Sequence, residues 1–157
     1  MKQLGLIFLL LPLMASCDTP SKADLDAEVK RLCAIDGGIK VYETVKLPAE
    51  KFNQWGQINF YRPTKNEGAL GAEYIFKDKV DYYRKGDPDA GTGESMMARS
   101  EYQVIRRLDG KLLGQTVLYG RRGGDLPGPW HPSSFSCPEP NEAGDIALLK
   151  KIFVIAN

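Results

Sequence analysis

The sequence predicts a single α+β domain, an antiparallel β-sheet with N- and C-terminal helices packed on one face. Three observations favour this class: an apolar stripe of helical spacing early in the chain, β-rich runs in the middle, and a second helical pattern at the end. The domain is expected over residues 24–157, a length that supports one ordinary core.

The first helix is predicted to begin at a capping box. Ser21 is followed three positions later by Asp24, a spacing that lets each side chain bond the other's backbone amide. The apolar positions of helical spacing that follow are Leu25, Val29, Leu32 and Cys33. The pattern ends near the two glycines at residues 37–38, where a helix is expected to stop.

Residues 39–47 alternate between apolar and polar side chains and predict a half-buried strand. Glu43 falls on the apolar face of that strand, so we expect an inward-pointing arginine to pair with it, with a catalytic role as the alternative. Residues 48–54 predict a short helix. Residues 73–84 predict another strand, bent or turned near residues 77–79.

Residues 97–122 carry the clearest hairpin signal in the chain. The dipeptide Asp-Gly at residues 109–110 lies between two β-rich runs and predicts a two-residue type I′ turn. In that register Tyr102 faces Val117, and the apolar side chains gather on one face. A slip by one residue would place Tyr102 opposite Thr116 and scatter the apolar set, so we expect the first register.

The C-terminal third is predicted to contain a long loop and then a helix. Residues 123–140 are rich in Gly, Pro and Ser, and a loop of this length in a compact domain is expected to be functional or tied by a disulfide. Residues 141–155 predict a helix capped by Asn141. Its expected inward positions are Ile146, Leu149, Ile152 and Phe153.

The first residues have the features of an export signal. Lys2 supplies a positive charge, and residues 4–14 form an apolar run shorter than the ~20 residues that a membrane-spanning helix needs. Residues 13–17, Leu-Met-Ala-Ser-Cys, resemble the lipobox of bacterial lipoproteins. The resemblance implies removal of residues 1–16 and acylation of Cys17, with palmitate among its usual chains. An ordinary secretory signal, with Cys17 incidental, is the alternative.

The lipobox resemblance also implies a location. Residues 17–23 would form a lipidated tether that holds the domain within roughly 15 Å of the bilayer, facing the periplasm of a Gram-negative bacterium. In bacterial lipoproteins an Asp directly after the lipidated cysteine tends to retain the protein in the inner membrane. Asp18 therefore favours the inner over the outer membrane.

The cysteine count agrees with export. The chain has three cysteines, an odd number for an exported protein. If Cys17 carries lipid, Cys33 and Cys137 remain as a pair, and an oxidising compartment favours a disulfide between them. Two buried free thiols are the alternative.

Charge and motifs narrow the classes of partner. The formal net charge is +1, so there is no global field to attract nucleic acid, and nucleic-acid binding is not expected. No spacing of Cys and His predicts a metal site, and no motif predicts a cofactor.

His131 is the single histidine of the chain. It can serve as the base of a nucleophilic triad only if Asp125 orients it and a neighbouring serine attacks. The candidate serines are Ser133 and Ser134. All four residues lie in one loop, whereas the members of a triad converge from different elements. The sequence therefore favours a non-enzymatic binding or accessory module, with a small envelope hydrolase using His131 or Glu43 as the alternative.

Residues 121–132, named here the Trp130 loop, are the predicted interaction surface. Arg121 and Arg122 precede two glycines and Asp125, a pattern that suits an anion-binding nest or, as we favour, an Arg122–Asp125 ion pair. Trp130 stands among prolines, which lower the entropy lost on binding, and Trp is a frequent hot-spot residue.

The expected partner of the Trp130 loop is an envelope protein or a peptidoglycan-related component. The alternative is a purely structural lipoprotein, in which Trp130 and Phe135 pack beneath the predicted disulfide. Residues 121–137 resemble a group of small proteobacterial lipoproteins, and that resemblance implies no particular activity.

Overall fold

Five strands form the main antiparallel sheet of the computed structural model, which describes residues 19–156. In chain order the helices and strands are α1 (Lys22–Asp36), β1 (Gly38–Val41), β2 (Val45–Leu47), β3 (Tyr74–Arg84), β4 (Ser95–Arg106), β5 (Leu112–Gly123), β6 (Ser134–Cys137), α2 (Pro140–Ala143), α3 (Asp145–Ile152) and β7 (Phe153–Ile155). Short 3-10 helices lie at Ala49–Lys51, Pro63–Gly68 and Pro88–Ala90. The predicted α+β class, an antiparallel sheet with helices from both ends of the chain, is confirmed.

The sheet is ordered β1-β5-β4-β3, with β6 beside the second half of β5. Strand β1 pairs with the first half of β5 and β6 with the second half, so both occupy the same edge of β5. Strands β2 and β7 form a separate parallel pair. The long hairpin β4–β5 is therefore the centre of the main sheet, because the other three strands of that sheet pair directly with it.

Helix α1 covers one face of the main sheet. Its capping box is present as predicted, because Ser21 Oγ accepts from the Asp24 amide and Asp24 Oδ2 accepts from the Ser21 amide. Its apolar stripe packs against alternate residues of β4 and β5. The buried members of this cluster are Leu25, Val29, Met97, Val117 and Tyr119.

Helices α2 and α3 pack on the opposite face. Thr116 Oγ1 donates to the Ala143 carbonyl oxygen over 2.6 Å, and a Cβ added to Gly114 would lie 2.9 Å from Ile152 Cδ1. Successive strand residues point to opposite faces, so these contacts lie across the sheet from Val117. The detail that changes from the sequence prediction is the shared face, because each end of the chain covers its own.

The hairpin register differs from the predicted one. A four-residue loop, residues 107–110, replaces the two-residue turn, and the Gly110 amide donates to the Arg106 carbonyl. Tyr102 consequently pairs with Thr116, the slip that the sequence analysis rejected. Leu113 is an extra residue between two register pairs, and this bulge turns its side chain into the core beside α3.

The predicted C-terminal helix is interrupted and shorter. Gly144 ends α2 and precedes α3, and residues 153–155 leave the helix to pair with β2 as a parallel strand. The inward set shifts accordingly. Its buried members are Leu148, Leu149, Ile152 and Phe153, whereas Ile146 lies on the surface.

The predicted strand over residues 39–47 is two strands in two sheets. The chain leaves β1 at residue 42, where the amides of Tyr42 and Glu43 both donate to the Leu113 carbonyl. Glu43 then pairs with Arg106, as expected, and with Lys111 at 2.5 Å. These two bonds hold the pKa of the Glu43 carboxyl below its usual value.

The predicted disulfide is confirmed. Cys33 near the end of α1 and Cys137 at the end of β6 are bonded, with their Cα atoms 5.8 Å apart. The bridge joins α1 to the edge of the main sheet. Phe135 packs against the same cluster, as the structural interpretation required, but Trp130 lies on the surface.

Candidate functional site

The Trp130 loop exposes two apolar side chains. Trp130 is 55 % exposed and Leu126 81 %. The indole Nε1 donates to the Leu126 carbonyl over 2.8 Å, and the ring lies over Gly128, where a Cβ would come within 2.2 Å of it. The Gly128 amide in turn donates to Gly91 over 3.0 Å. The indole is therefore held in a fixed position on the surface.

Arg121 has a structural role. Its side chain is 2 % exposed, and its Nε donates to Asp26 Oδ1 of α1 over 2.7 Å. Its Nη1 donates to the carbonyls of Gly123 and Ser133 and to Ser133 Oγ. All of these acceptors are protein groups, so Arg121 joins the helix, the sheet and the loop.

The favoured pair between Arg122 and Asp125 is wrong. Arg122 points to the other face of the sheet and bonds Asp89 over 2.7 Å. Asp125 instead accepts from Lys22 over 2.7 Å and from the amide and hydroxyl of Ser133. These bonds, that of Lys22 first, hold the pKa of the Asp125 carboxyl well below its usual range.

The glycines of the anion-binding nest, the alternative to that ion pair, donate to acceptors within the protein. The Gly123 amide donates to the Ser133 carbonyl and the Gly124 amide to the Glu94 carbonyl, each over 2.9 Å. Both amides that would cradle an anion are thus engaged within the protein.

The alternative of a nucleophilic triad, which the sequence disfavours, is not assembled among the described residues. His131 lies on the surface, and Ser133 Oγ donates to Asp125 while it accepts from Arg121. Ser133 is therefore held by a carboxylate and a guanidinium, and its bonds serve to close the Trp130 loop.

A cleft of about 470 Å³ lies on the α3 face, and the sequence did not predict it. Three aromatic rings form its wall. The centroids of Tyr61 and Phe76 are 5.4 Å apart, and Phe76 stacks on Tyr102 at 5.8 Å with 21° between the planes. We name this the aromatic cleft.

Carboxylates rim the aromatic cleft. Asp145, at the start of α3, accepts from the Tyr61 hydroxyl over 2.7 Å, and Asp78 pairs across the strands with Tyr102. Glu67, in the 3-10 helix Pro63–Gly68, is a third carboxylate that lines the cleft. Burial raises the pKa of the Tyr102 phenol, and the charges of Asp78 and Asp145 raise it further, as expected beside negative groups.

The lysines that border the aromatic cleft belong to the other face of β3. Side-chain directions alternate along a strand, so Lys77 and Lys79 point away from Asp78. Lys79 bonds Asp81 over 2.8 Å on that opposite face. Asp78 is therefore the charged side chain of β3 that faces the aromatic cleft.

The backbone beside the aromatic cleft is strained. Asn66, which lines the cleft, has φ 49° and ψ −127°, a conformation that residues with a side chain seldom adopt. Such residues cost about 1–3 kcal/mol and persist where the surrounding structure holds them, often at binding sites.

An open strip of the main sheet continues from the aromatic cleft. It forms a groove of about 340 Å³ beside α2, and the small side chains of its floor leave this space open. The small residues of the floor are Ala98, Ser100, Gly120, Ser134 and Ser136. The groove and the aromatic cleft meet at Tyr102 and Asp145.

Sequence patterns could not reveal the aromatic cleft because its members come from distant segments. Tyr61 lies in a stretch with no periodic signal, and Tyr102 was predicted only as an apolar member of the hairpin. Asp145 was placed inside a helix, whereas Gly144 makes it the first residue of α3. The aromatic residues of β3, Phe76 among them, were the available signal.

Comparisons with protein-family models, curated proteins and solved structures found no match to this chain. Cys17 and the predicted lipobox lie outside the described residues. Within residues 19–156, no helix is long and apolar enough to cross a membrane, and no group of three His, Cys, Asp or Glu side chains is placed to hold a metal ion.

Proposed function

We propose that this chain is a bacterial lipoprotein, cleaved before Cys17 and anchored there in the cell envelope with its domain facing the periplasm. The observation that supports the proposal is the Cys33–Cys137 disulfide, because such bonds form and persist in oxidising compartments. The bridge uses two of the three cysteines and leaves Cys17 as the one available for lipid. Asp18 favours the inner membrane.

Mass spectrometry of the protein purified from membranes of its expressing bacterium tests the anchor. The N-terminal peptide is expected to begin at Cys17 with diacylglycerol and a further acyl chain, and Cys17→Ser should abolish both the acylation and the cleavage before residue 17. Cys33→Ser is the matched control, since it removes a cysteine without touching the signal. A mature N-terminus at another residue, or an unmodified Cys17, would overturn the proposal.

The domain is proposed to act by binding, with the aromatic cleft as its ligand site. Aromatic rings flanked by carboxylates suit an organic cation, which gains from the ring faces and from charge pairing together. Tyr61 and Tyr102 supply the rings and Asp78 and Asp145 the carboxylates. The proposed ligand is an envelope component that presents an amine, either on a protein or in peptidoglycan.

Calorimetric titration with spermidine, a soluble polyamine, tests the ligand class. Asp78→Asn should weaken binding, because it removes a carboxylate from the rim of the aromatic cleft. Asp81→Asn is the control, since it makes the same change on the opposite face of β3. Equal effects of the two variants would show that the cation responds only to net charge and would exclude the aromatic cleft as its site.

A hydrolase using Glu43 or His131 is the second candidate from the sequence. The ion pairs of Glu43 with Arg106 and Lys111 account for that carboxylate structurally, and His131 stands on the open surface. The ion pairs of Glu43 and the exposed position of His131 therefore make binding, and not hydrolysis, the function to test first.

A further inference from the structure

The exposed apolar residues of the Trp130 loop lie at the end of the domain where the chain enters it. Lys22, the first residue of α1, bonds Asp125 over 2.7 Å. A Cβ added to Gly124 would lie 3.6 Å from the Lys22 Cβ. Leu126 directly follows Asp125 in the chain. The base of the Trp130 loop thus touches the residue through which the domain connects to residues 17–21.

The distance between this end of the domain and Cys17 is bounded by chain length. Lys22 is five positions after Cys17, and an extended chain advances at most ~3.6 Å per residue. Cys17 therefore lies within roughly 18 Å of Lys22 in any conformation. A lipid on Cys17 keeps this end of the domain beside the bilayer surface and raises the local concentration of lipid around it.

The composition of the exposed surface suits a bilayer interface. Trp is enriched at the boundary between headgroups and acyl chains, where its ring meets apolar groups and its N–H remains near polar ones. Leu126 offers a fully apolar side chain beside it, while Pro127 and Pro129 limit the freedom of the backbone between them. The bond of the indole N–H to the Leu126 carbonyl already satisfies the polar atom.

We infer that the Trp130 loop is a membrane-contact surface: Trp130 and Leu126 insert into the interface of the bilayer to which Cys17 is anchored. This inference rests on the proposed lipid anchor and adds an orientation to it. The domain then stands with the start of α1 and the Trp130 loop against the bilayer. A protein partner for this loop is the competing interpretation.

Fluorescence on vesicles tests the orientation. A chain beginning at Cys17 contains every described element, and its Cys17 thiol can be coupled to a maleimide lipid because Cys33 and Cys137 are bonded to each other. The chain has two tryptophans, so Trp55→Phe leaves Trp130 as the sole reporter, and Trp130→Phe leaves Trp55, which is also exposed. Vesicles of phosphatidylethanolamine and phosphatidylglycerol carry brominated acyl chains in one arm and iodide outside in the other.

Trp130 is expected to emit at shorter wavelength on vesicles than in solution, to be quenched by the brominated lipid and to be protected from iodide. Trp55 should keep the emission wavelength that it has in solution, escape quenching by the brominated lipid and remain open to quenching by iodide. Leu126→Asp should reduce the lipid quenching of Trp130 without unfolding the domain, because that side chain is exposed. Equal quenching of the two tryptophans by brominated lipid, or no shift for Trp130, would overturn the inference.

The coupling is chemical, so these outcomes do not depend on whether the cell lipidates Cys17. If the vesicle experiment fails while mass spectrometry finds Cys17 acylated in cells, the proposed orientation is excluded and the proposed anchor is kept. If the brominated lipid quenches Trp130 on vesicles while Cys17 is unmodified in cells, the proposed anchor is excluded and the membrane-contact surface is kept.

Discussion

Arg121 of β5 and Asp26 of α1 form an ion pair, 2.7 Å between Nε and Oδ1, at the interface of helix and sheet. The guanidinium is buried, and its remaining hydrogen bonds go to Gly123 and Ser133. Arg121 is therefore the residue through which α1, the sheet and the Trp130 loop hold one another in place. The sequence pattern predicts a place for this arginine on a binding surface, whereas its contacts are structural.

Replacing Asp26 with Asn should destabilise the domain by about 2–3 kcal/mol, because a buried guanidinium loses its counter-charge. Urea denaturation of the two proteins measures the difference. Glu28→Gln is the control on the same helix, since the exposed Glu28–Arg31 pair should be worth less than ~1 kcal/mol. Equal losses in the two variants would show that Arg121 does not depend on Asp26.

Gly114 is the point where α3 comes closest to the sheet. Gly114→Ala should cost about 1–3 kcal/mol, because its Cβ would lie 2.9 Å from Ile152 Cδ1 and 3.0 Å from the Lys40 carbonyl oxygen. The side chain can move, but the carbonyl belongs to the paired strand β1. Thermal denaturation measures the loss.

The double change Gly114→Ala with Ile152→Val separates the two contacts of Gly114. If the side chain is the main obstacle, the shorter valine should recover part of the stability lost in Gly114→Ala. No recovery would assign the cost to the strand contact with Lys40.

Local patterns predicted the parts of the fold that local interactions determine. The Ser21–Asp24 capping box places the start of α1 because both partners lie within one turn. The expected arginine partner of Glu43 follows from the cost of a lone charge on an apolar face. The bond between Cys33 and Cys137 could be predicted because these two cysteines remain as a pair if Cys17 carries lipid.

Long-range pairing and loop geometry were beyond these patterns. The apolar end of the chain, Phe153–Ile155, fits a helical stripe and a strand equally, and its pairing with Val45–Leu47 from the other end of the domain decides between them. The hairpin register depends on the bulge at Leu113, which no periodicity signals. The aromatic cleft follows from the same packing, since it forms only where these elements meet.

Asp125 should make the stability of the Trp130 loop depend on pH. Its pKa in the fold lies below the ordinary value of ~3.9, owing first to Lys22 and then to Ser133. The folded state thus favours the ionised carboxylate more than the unfolded chain does. The contribution of Asp125 to the free energy of unfolding is complete above pH ~4 and is lost as the pH falls through the pKa in the folded state. Asp125→Asn should be less stable than the wild type at neutral pH.

The gap between Asp125→Asn and the wild type should narrow in acid. Denaturation midpoints of both proteins from neutral pH to below pH ~3 measure it. Lys22→Met removes the largest cause of the lowered Asp125 pKa. The difference in stability between Lys22→Met and the double variant Lys22→Met with Asp125→Asn should therefore be smaller than that between the wild type and Asp125→Asn. A gap that stays constant over the whole range would contradict the assignment to Asp125.

The Cys33–Cys137 bridge should contribute strongly to the stability of this domain. It closes a loop with a sequence separation of 104 residues, for which the lost freedom of the unfolded chain corresponds to about 4–5 kcal/mol. The double variant Cys33→Ala and Cys137→Ala should therefore unfold at much lower urea concentration than the wild type, both in a Cys17→Ser background. Adding a reductant should destabilise the wild-type pair and leave the double variant unchanged. Equal midpoints for the oxidised bridge and the double variant would show that α1 and β6 are held by Phe135 and the surrounding apolar cluster instead.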